Sequence, residues 1–132
     1  MASNGLITIP SSYSVKQTLD RLETALKAAG VTIFARIDHA GGAAAVGLAL
    51  RPTELLIFGN PKGGTPLMQA NQMIGLDLPL RVLAWEDEAG NTNLAYNAVD
   101  WLALRYDLDA LTEPAREGLA KMLAKFTAEA AG

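Results

Sequence analysis

Leu55-Leu-Ile-Phe-Gly-Asn-Pro-Lys-Gly-Gly-Thr-Pro-Leu-Met68 is the stretch on which the reading of this chain turns. Leu55 to Phe58 has no polar member, the pattern of an inner strand covered on both faces. It runs straight into Gly59 to Pro66, eight residues that include two prolines and three glycines. Backbone this constrained at a strand end holds polar groups in fixed positions. The groups held are the Asn60 amide, the Lys62 ammonium and the Thr65 hydroxyl. Thr65 to Met73 reads as a short helix with Pro66 in its first turn. Pro79 then opens a long strand, Leu80 to Asp87. A connection containing Gly90 and Asn91 returns the chain into Thr92 to Tyr96, completing a hairpin.

Upstream, Ile7 and Ile9 flank Thr8 in a short first strand that Pro10 is expected to end. Val15, Leu19, Leu22, Leu26 and Ala29 repeat at helical spacing. Ser14 with Gln17 reads as a capping box, and Gly30 stands where a left-handed C-terminal residue is wanted. Val31 to Asp38 alternates, with Val31, Ile33, Ala35 and Ile37 on one face and Thr32, Phe34, Arg36 and Asp38 on the other. His39 to Leu48 is small and Gly-rich, a loop with a short, weak helix. Downstream, Asn97 is expected to cap a helix carrying Val99, Leu102, Ala103 and Tyr106. Thr112 is expected to cap a last helix with Ala115, Leu119, Met122, Leu123 and Phe126 on its apolar face.

The middle strands have no helices long enough to serve as parallel crossovers. The expected fold is therefore α+β: a mostly antiparallel five-stranded sheet with helices packed on one face, in β-α-β(4)-α order, and an extra C-terminal helix. All of 1–132 reads as a single domain, with a core from about residue 6 to 108 and a helical extension over 109–130. The other sheet face would carry Phe34, Arg36, Arg81, Leu83 and Trp85. A face of that composition points to a homodimer.

At 132 residues, half of them apolar and 19% charged, the chain has enough apolar surface for a real core. No apolar run approaches the roughly 18–20 residues that cross a bilayer, so no membrane partner is expected. The start, Met-Ala-Ser-Asn-Gly, has no basic region followed by an apolar stretch, which points to the cytoplasm. An exported form with its signal peptide removed would read the same way. There are no cysteines, which removes disulfides, zinc–thiolate sites and thiol nucleophiles. A net charge of −3 with no run of Lys or Arg argues against a nucleic-acid partner.

Phe58-Gly-Asn-Pro-Lys-Gly-Gly-Thr-Pro-Leu-Met, Ile74-Gly-Leu-Asp-Leu-Pro-Leu-Arg-Val-Leu and Trp85-Glu-Asp-Glu resemble the bacterial and archaeal family known as domain of unknown function 302. The resemblance runs from about Ile7 to Leu108. It implies a fold similar to the TATA-binding-protein-like class, β-α-β(4)-α, and a dimer. It implies no established activity. Tyr96-Asn97-Ala98-Val99 departs from a family tendency toward Asn-Asp or Asn-Pro at the start of the next helix.

Gly59 to Thr65 invites an anion-binding reading. Glycine amides, Lys62 and a Thr65 N-cap would direct donors at a carboxylate or phosphate. The order of residues is not that of a Walker A loop. The plainer reading is a rigid strand-to-helix corner tied down by Asn60. His39, the only histidine, follows Asp38 at a strand end and is a candidate general base. Asp38 and His39 would point to opposite faces of a strand. Glu86, Asp87 and Glu88 run into the hairpin turn, and Tyr96 on the partner strand could reach Glu86. With one histidine and no cysteine, no metal site and no cofactor is called for. Trp85, Trp101 and Tyr106 read as core or dimer anchors. Ser3, Ser11, Ser12 and Ser14 have no nucleophile elbow around them.

Two readings of function follow. The preferred one is a non-catalytic homodimeric module binding a small anionic or amphipathic ligand, with Asn60, Lys62, Gly63, Gly64, Thr65, His39 and Tyr96 as the binding residues. The alternative is a small hydrolase or isomerase using His39 or Glu86 as base and Lys62 as electrostatic stabiliser.

Overall fold

The computed structural model describes residues 4–132. Residues 1–3, on which the leader reading and Ser3 depend, lie outside the described residues. Strands β1 (Leu6–Ser11), β2 (Thr32–Asp38), β3 (Thr53–Gly59), β4 (Leu80–Glu86) and β5 (Thr92–Asn97) form one sheet in the order β1-β5-β4-β3-β2. Every neighbouring pair is antiparallel. The helices are α1 (Val15–Ala28), α2 (His39–Ala45), α3 (Pro61–Ala70), α4 (Val99–Arg105) and α5 (Glu113–Ala131), with 3₁₀ turns at Gln72–Leu76 and Ala110–Thr112. This is the α+β fold expected from the strand and helix patterns.

Helix α1 forms for the reasons its sequence gives. The Ser14 hydroxyl accepts the Gln17 N–H at 3.1 Å, and Gln17 Oε1 accepts the Ser14 N–H at 3.3 Å. Gly30 follows at φ +79°, a conformation that L side chains avoid. Val15, Leu19, Leu22 and Leu26 are buried against Leu56 and Phe58 of β3, Val82 and Ala84 of β4, and Leu94 and Tyr96 of β5.

Helix α5 belongs to the same core. Leu123, Ala130 and Ala131 are buried with the α1 and sheet residues, and Leu119, Met122 and Phe126 pack against them. Its last turn is held by Arg21 of α1, which donates to the carbonyls of Ala130 and Glu129 at 3.1 and 2.8 Å. The stretch expected as an extension beyond Leu108 is thus built into the fold.

Several local expectations change. Strand β1 continues through Pro10 to Ser11, with Pro10 opposite Asn93. Because β1 is a sheet edge, the missing N–H of Pro10 leaves no ladder bond unmade. The N-cap of helix α4 is Ala98 rather than Asn97, and no side chain caps it. Thr112 sits at the start of α5, but its hydroxyl donates to the Asp109 carbonyl at 2.7 Å instead of capping.

The largest change is a bulge in β2. Ile33 pairs with Phe58 and Ala35 with Ile57, so Phe34 is an extra residue and the alternation reverses after it. Ile37 therefore leaves the core face. Arg36 joins the helix side, where it bonds Asp20 of α1 at 2.6 Å, Glu54 at 3.0 Å and the Lys16 carbonyl at 3.2 Å. The face away from α1 and α5 carries Leu55 and Ile57 of β3 and Leu83 and Trp85 of β4, all half-buried, together with exposed Ile37. Strand β3 is an inner strand, as its apolar run implies, yet only one of its faces lies against the buried core.

Candidate functional site

Asn60 ends β3 and starts α3. Its Oδ1 accepts the Lys62 N–H at 3.0 Å, and its backbone carbonyl accepts the N–H groups of Gly63 and Gly64 at 2.9 and 3.1 Å. Pro61 takes the first helical position, where its fixed φ suits the helix and no N–H is needed. The cap is Asn60, not Thr65, and Thr65 and Pro66 lie inside the helix. Three of the amides that would surround an anion are thus bonded within the turn. The corner does not form the anion cradle that its composition suggests.

The glycines do something else. A Cβ at Gly63 would stand 3.0 Å from Leu119 Cδ2, so its absence lets α3 approach α5 closely. A Cβ at Gly59 would lie 3.4 Å from Pro79, and one at Gly64 would lie 3.6 Å from Leu78. These two glycines line a hollow of about 340 Å³. Asn60, Pro61, Thr65 and Met68 complete the α3 side. Leu78, Pro79 and Leu80 form a second wall, Leu119 and Met122 of α5 a third, and Phe34 reaches it from the β2 bulge. None of these residues is ionisable. Lys62 is not among them, so of the three polar groups at the corner only Asn60 and Thr65 border the hollow.

The hollow lies where two cores meet. One is the α1–sheet–α5 core, and the other gathers Leu67, Ile74, Leu102 and Tyr106. Leu78 and Leu119 pack against both. The wall before β4 is anchored by Asp77. Its carboxylate accepts the Tyr106 hydroxyl and faces Arg105 at 3.3 Å and Arg81 at 3.8 Å. The hydrogen bond to Asp77, reinforced by burial, holds the Tyr106 phenol above its ordinary pKa. Asn71 adds a tie by donating to the Tyr106 carbonyl at 2.8 Å. The Leu78–Pro79 peptide bond is cis.

The other candidate residues lie elsewhere. His39 is exposed at the start of α2, where Asp38 caps the helix by accepting the Gly41 N–H at 2.9 Å. Asp38 pairs with Glu54, and Glu86 with Thr92, at the sheet end opposite Gly59. Gly59 stands five steps along β3 from Glu54, roughly 17 Å at strand rise. His39 and Glu86 therefore do not share a centre with Lys62, which removes the geometric basis of the hydrolase or isomerase reading. Asp87 ties the hairpin, accepting the N–H groups of Ala89 and Asn91 and the Asn93 amide. Tyr96 is 8% exposed in the main core and is not a lining residue. Glu86 lies opposite Thr92, four residues short of Tyr96.

Sequence reasoning missed Phe34, Met68, Leu78, Leu119 and Met122 as lining residues. The helical stripe of α5 marked Leu119 and Met122 as buried, but nothing local distinguishes a side chain that fills a core from one that borders a space.

Five antiparallel strands, α1 and α5 across one face, and an apolar hollow at a capped Gly/Pro corner define a small α+β module of the β-α-β(4)-α kind. The chain belongs to the family described as Domain of unknown function DUF302, which residues 7–126 match. That match takes in most of α5. A crystal structure of an uncharacterized conserved protein DUF302 from Bacillus stearothermophilus is similar in fold, with a TM-score of 0.83 over 96% of this chain and 98% of that one, at 20% identity. The chain is also 45% identical over 129 residues to fluoride-specific ion channel FluC 1 of Brucella suis biovar 1 (strain 1330) and to the protein of the same name from Brucella abortus biovar 1 (strain 9-941). These matches cover 98% of this chain but 51% and 48% of the relatives. The chain thus spans about half the length of the curated relatives it matches. Among the described residues, no helix is long and apolar enough to cross a membrane.

Proposed function

We propose that this chain is a non-catalytic module that works as a homodimer in the cytoplasm and holds a small amphipathic ligand in the hollow beside α3. The observation that carries this reading is the hollow itself: apolar walls, with two glycines where side chains would fill it. Its volume falls at the lower end of the range for small-molecule sites, roughly 300–1,000 Å³. The absence of an ionisable lining group supports the amphipathic member of the expected ligand pair over the anionic one. The homodimer is supported by the open sheet face. Leu55 to Phe58 has the all-apolar pattern of a strand covered twice, and a second copy against Leu55, Ile57, Leu83 and Trp85 would supply the second cover. The acidic balance and lack of a basic run give nucleic acid no footing.

Thermal unfolding in the presence of a panel of small amphiphiles tests the ligand. A ligand at a hundredfold over its Kd adds about 2.7 kcal/mol, a rise of several degrees in Tm. The rise should disappear in Gly64→Leu, whose side chain occupies the hollow. A panel that leaves wild type unshifted throughout would sink the reading.

The Brucella relatives support a second reading, in which this module serves beside a fluoride-specific channel. A pore needs bilayer-crossing helices or a closed barrel. The half of those relatives that this chain matches has its counterpart here in a fold without such a helix among the described residues, so we place the pore in their other half. Fluoride flux from liposomes containing the Brucella suis protein trimmed to its unmatched half should persist. Flux carried by the matched half alone would end this reading.

A further inference from the structure

We infer that the ligand of the hollow is a neutral amphiphile, with a hydrocarbon body against the Leu and Met walls and one uncharged hydrogen-bond acceptor at the rim. The inference rests on the reading of the hollow as a binding site and goes beyond it in fixing the charge of the head group.

Three observations carry it. First, none of the lining residues is ionisable, so a carboxylate or phosphate would shed hydration with no opposing charge in the walls. Second, the start of α3, which would otherwise attract an anion through its free amides, is closed: the N–H groups of Lys62, Gly63 and Gly64 are all bonded to Asn60. Third, the polar groups left at the rim are neutral. Asn60 uses its Oδ1 in the cap, which leaves its NH₂ to donate outward. The Thr65 hydroxyl has no hydrogen-bond partner among the described residues. Two neutral donors beside an apolar slot suit an alcohol, amide or ester oxygen. Met68 of α3 and Met122 of α5, flexible and polarisable, suit a chain with no rigid shape of its own.

The methionines also supply the readout. Met68 and Met122 line the hollow, while Met73 is 70% exposed and not a lining residue. With methionine methyl groups labelled by carbon-13, n-octanol and octanoate are titrated separately at neutral pH, into wild type and into Lys62→Ala. The expected result is movement of the Met68 and Met122 signals but not of Met73, with octanol binding at least tenfold more tightly and Lys62→Ala changing neither affinity. Octanoate binding as tightly as octanol, or losing affinity in Lys62→Ala, would overturn the neutral head group while leaving the site in place. If neither compound moves the two wall methyl groups of the folded protein, the hollow is not a binding site and both readings fall.

Discussion

A methyl group added at Gly63 would lie 3.0 Å from Leu119 Cδ2, whereas one added at Gly64 would meet Leu78 and Met68 at 3.6 and 3.8 Å. The first distance requires Leu119 to move; the second pair is ordinary contact. Replacing glycine by alanine inside a helix gains about 0.5–1 kcal/mol from reduced backbone freedom alone. Gly64→Ala is therefore expected to stabilise the protein by that amount. At Gly63 the same gain is opposed by overpacking, which costs about 1–3 kcal/mol. Urea midpoints should rank Gly64→Ala above wild type, and wild type level with or above Gly63→Ala. Equal midpoints for the two variants would mean that α3 and α5 are not in close contact at this point. Neither glycine has a positive φ, so each is present for the space it leaves.

Two elements without a shared sequence pattern are joined by one carboxylate. Tyr106 ends α4 and Asp77 precedes β4, and their bond fixes the wall that carries Leu78 and Pro79. The Tyr106 phenol is raised above its ordinary value of 10.0, first by the hydrogen bond to Asp77, then by burial and by the Asp77 charge. Because the folded pKa exceeds the unfolded one, this contact stabilises fully below about pH 10 and its contribution is lost as pH rises through the folded value. Tyr106→Phe should lower the urea midpoint at neutral pH, and its deficit should shrink over the interval above about pH 10. A deficit that stays constant across that interval would show that the bond to Asp77 contributes nothing.

For the molecule as a whole, the sheet sets the question of assembly. One face is sealed by α1 and α5, while the other leaves half-buried Leu55, Ile57, Leu83 and Trp85 in a continuous patch beside exposed Ile37. Leu83 lies outside the helix-side core, so Leu83→Glu should leave that core intact. It should weaken self-association at least tenfold by placing a charge in an apolar interface. Sedimentation equilibrium decides it: wild type at twice the chain mass and Leu83→Glu at once the chain mass. A wild type that sediments as a monomer at concentrations that saturate ordinary homodimers would leave the patch without that partner.

Five strands, the main helices, the capping box at Ser14 and the turn at Gly30 were all legible in the sequence. Each reflects the geometry of a few consecutive residues: a period of two for strands, 3.6 for helices, and a hydrogen bond spanning three positions at a cap. The apolar run at Leu55 likewise announced an inner strand. The tertiary structure decided whether a side chain capped each later helix: of the competent candidates Asn60, Thr65, Asn97 and Thr112, only Asn60 caps one, and α4 and α5 have no side-chain cap. It also decided that a single bulge at Phe34 would send Arg36 to the helices and Ile37 to the open face. The hollow had no local signature at all. Its walls come from residues near 34, 59–68, 78–80 and 119–122, and a void is defined by side chains from distant segments that fail to fill a shared space. Short-range backbone preference wrote the elements; only their packing determined that the glycines of the corner leave a hollow instead of offering amides to an anion.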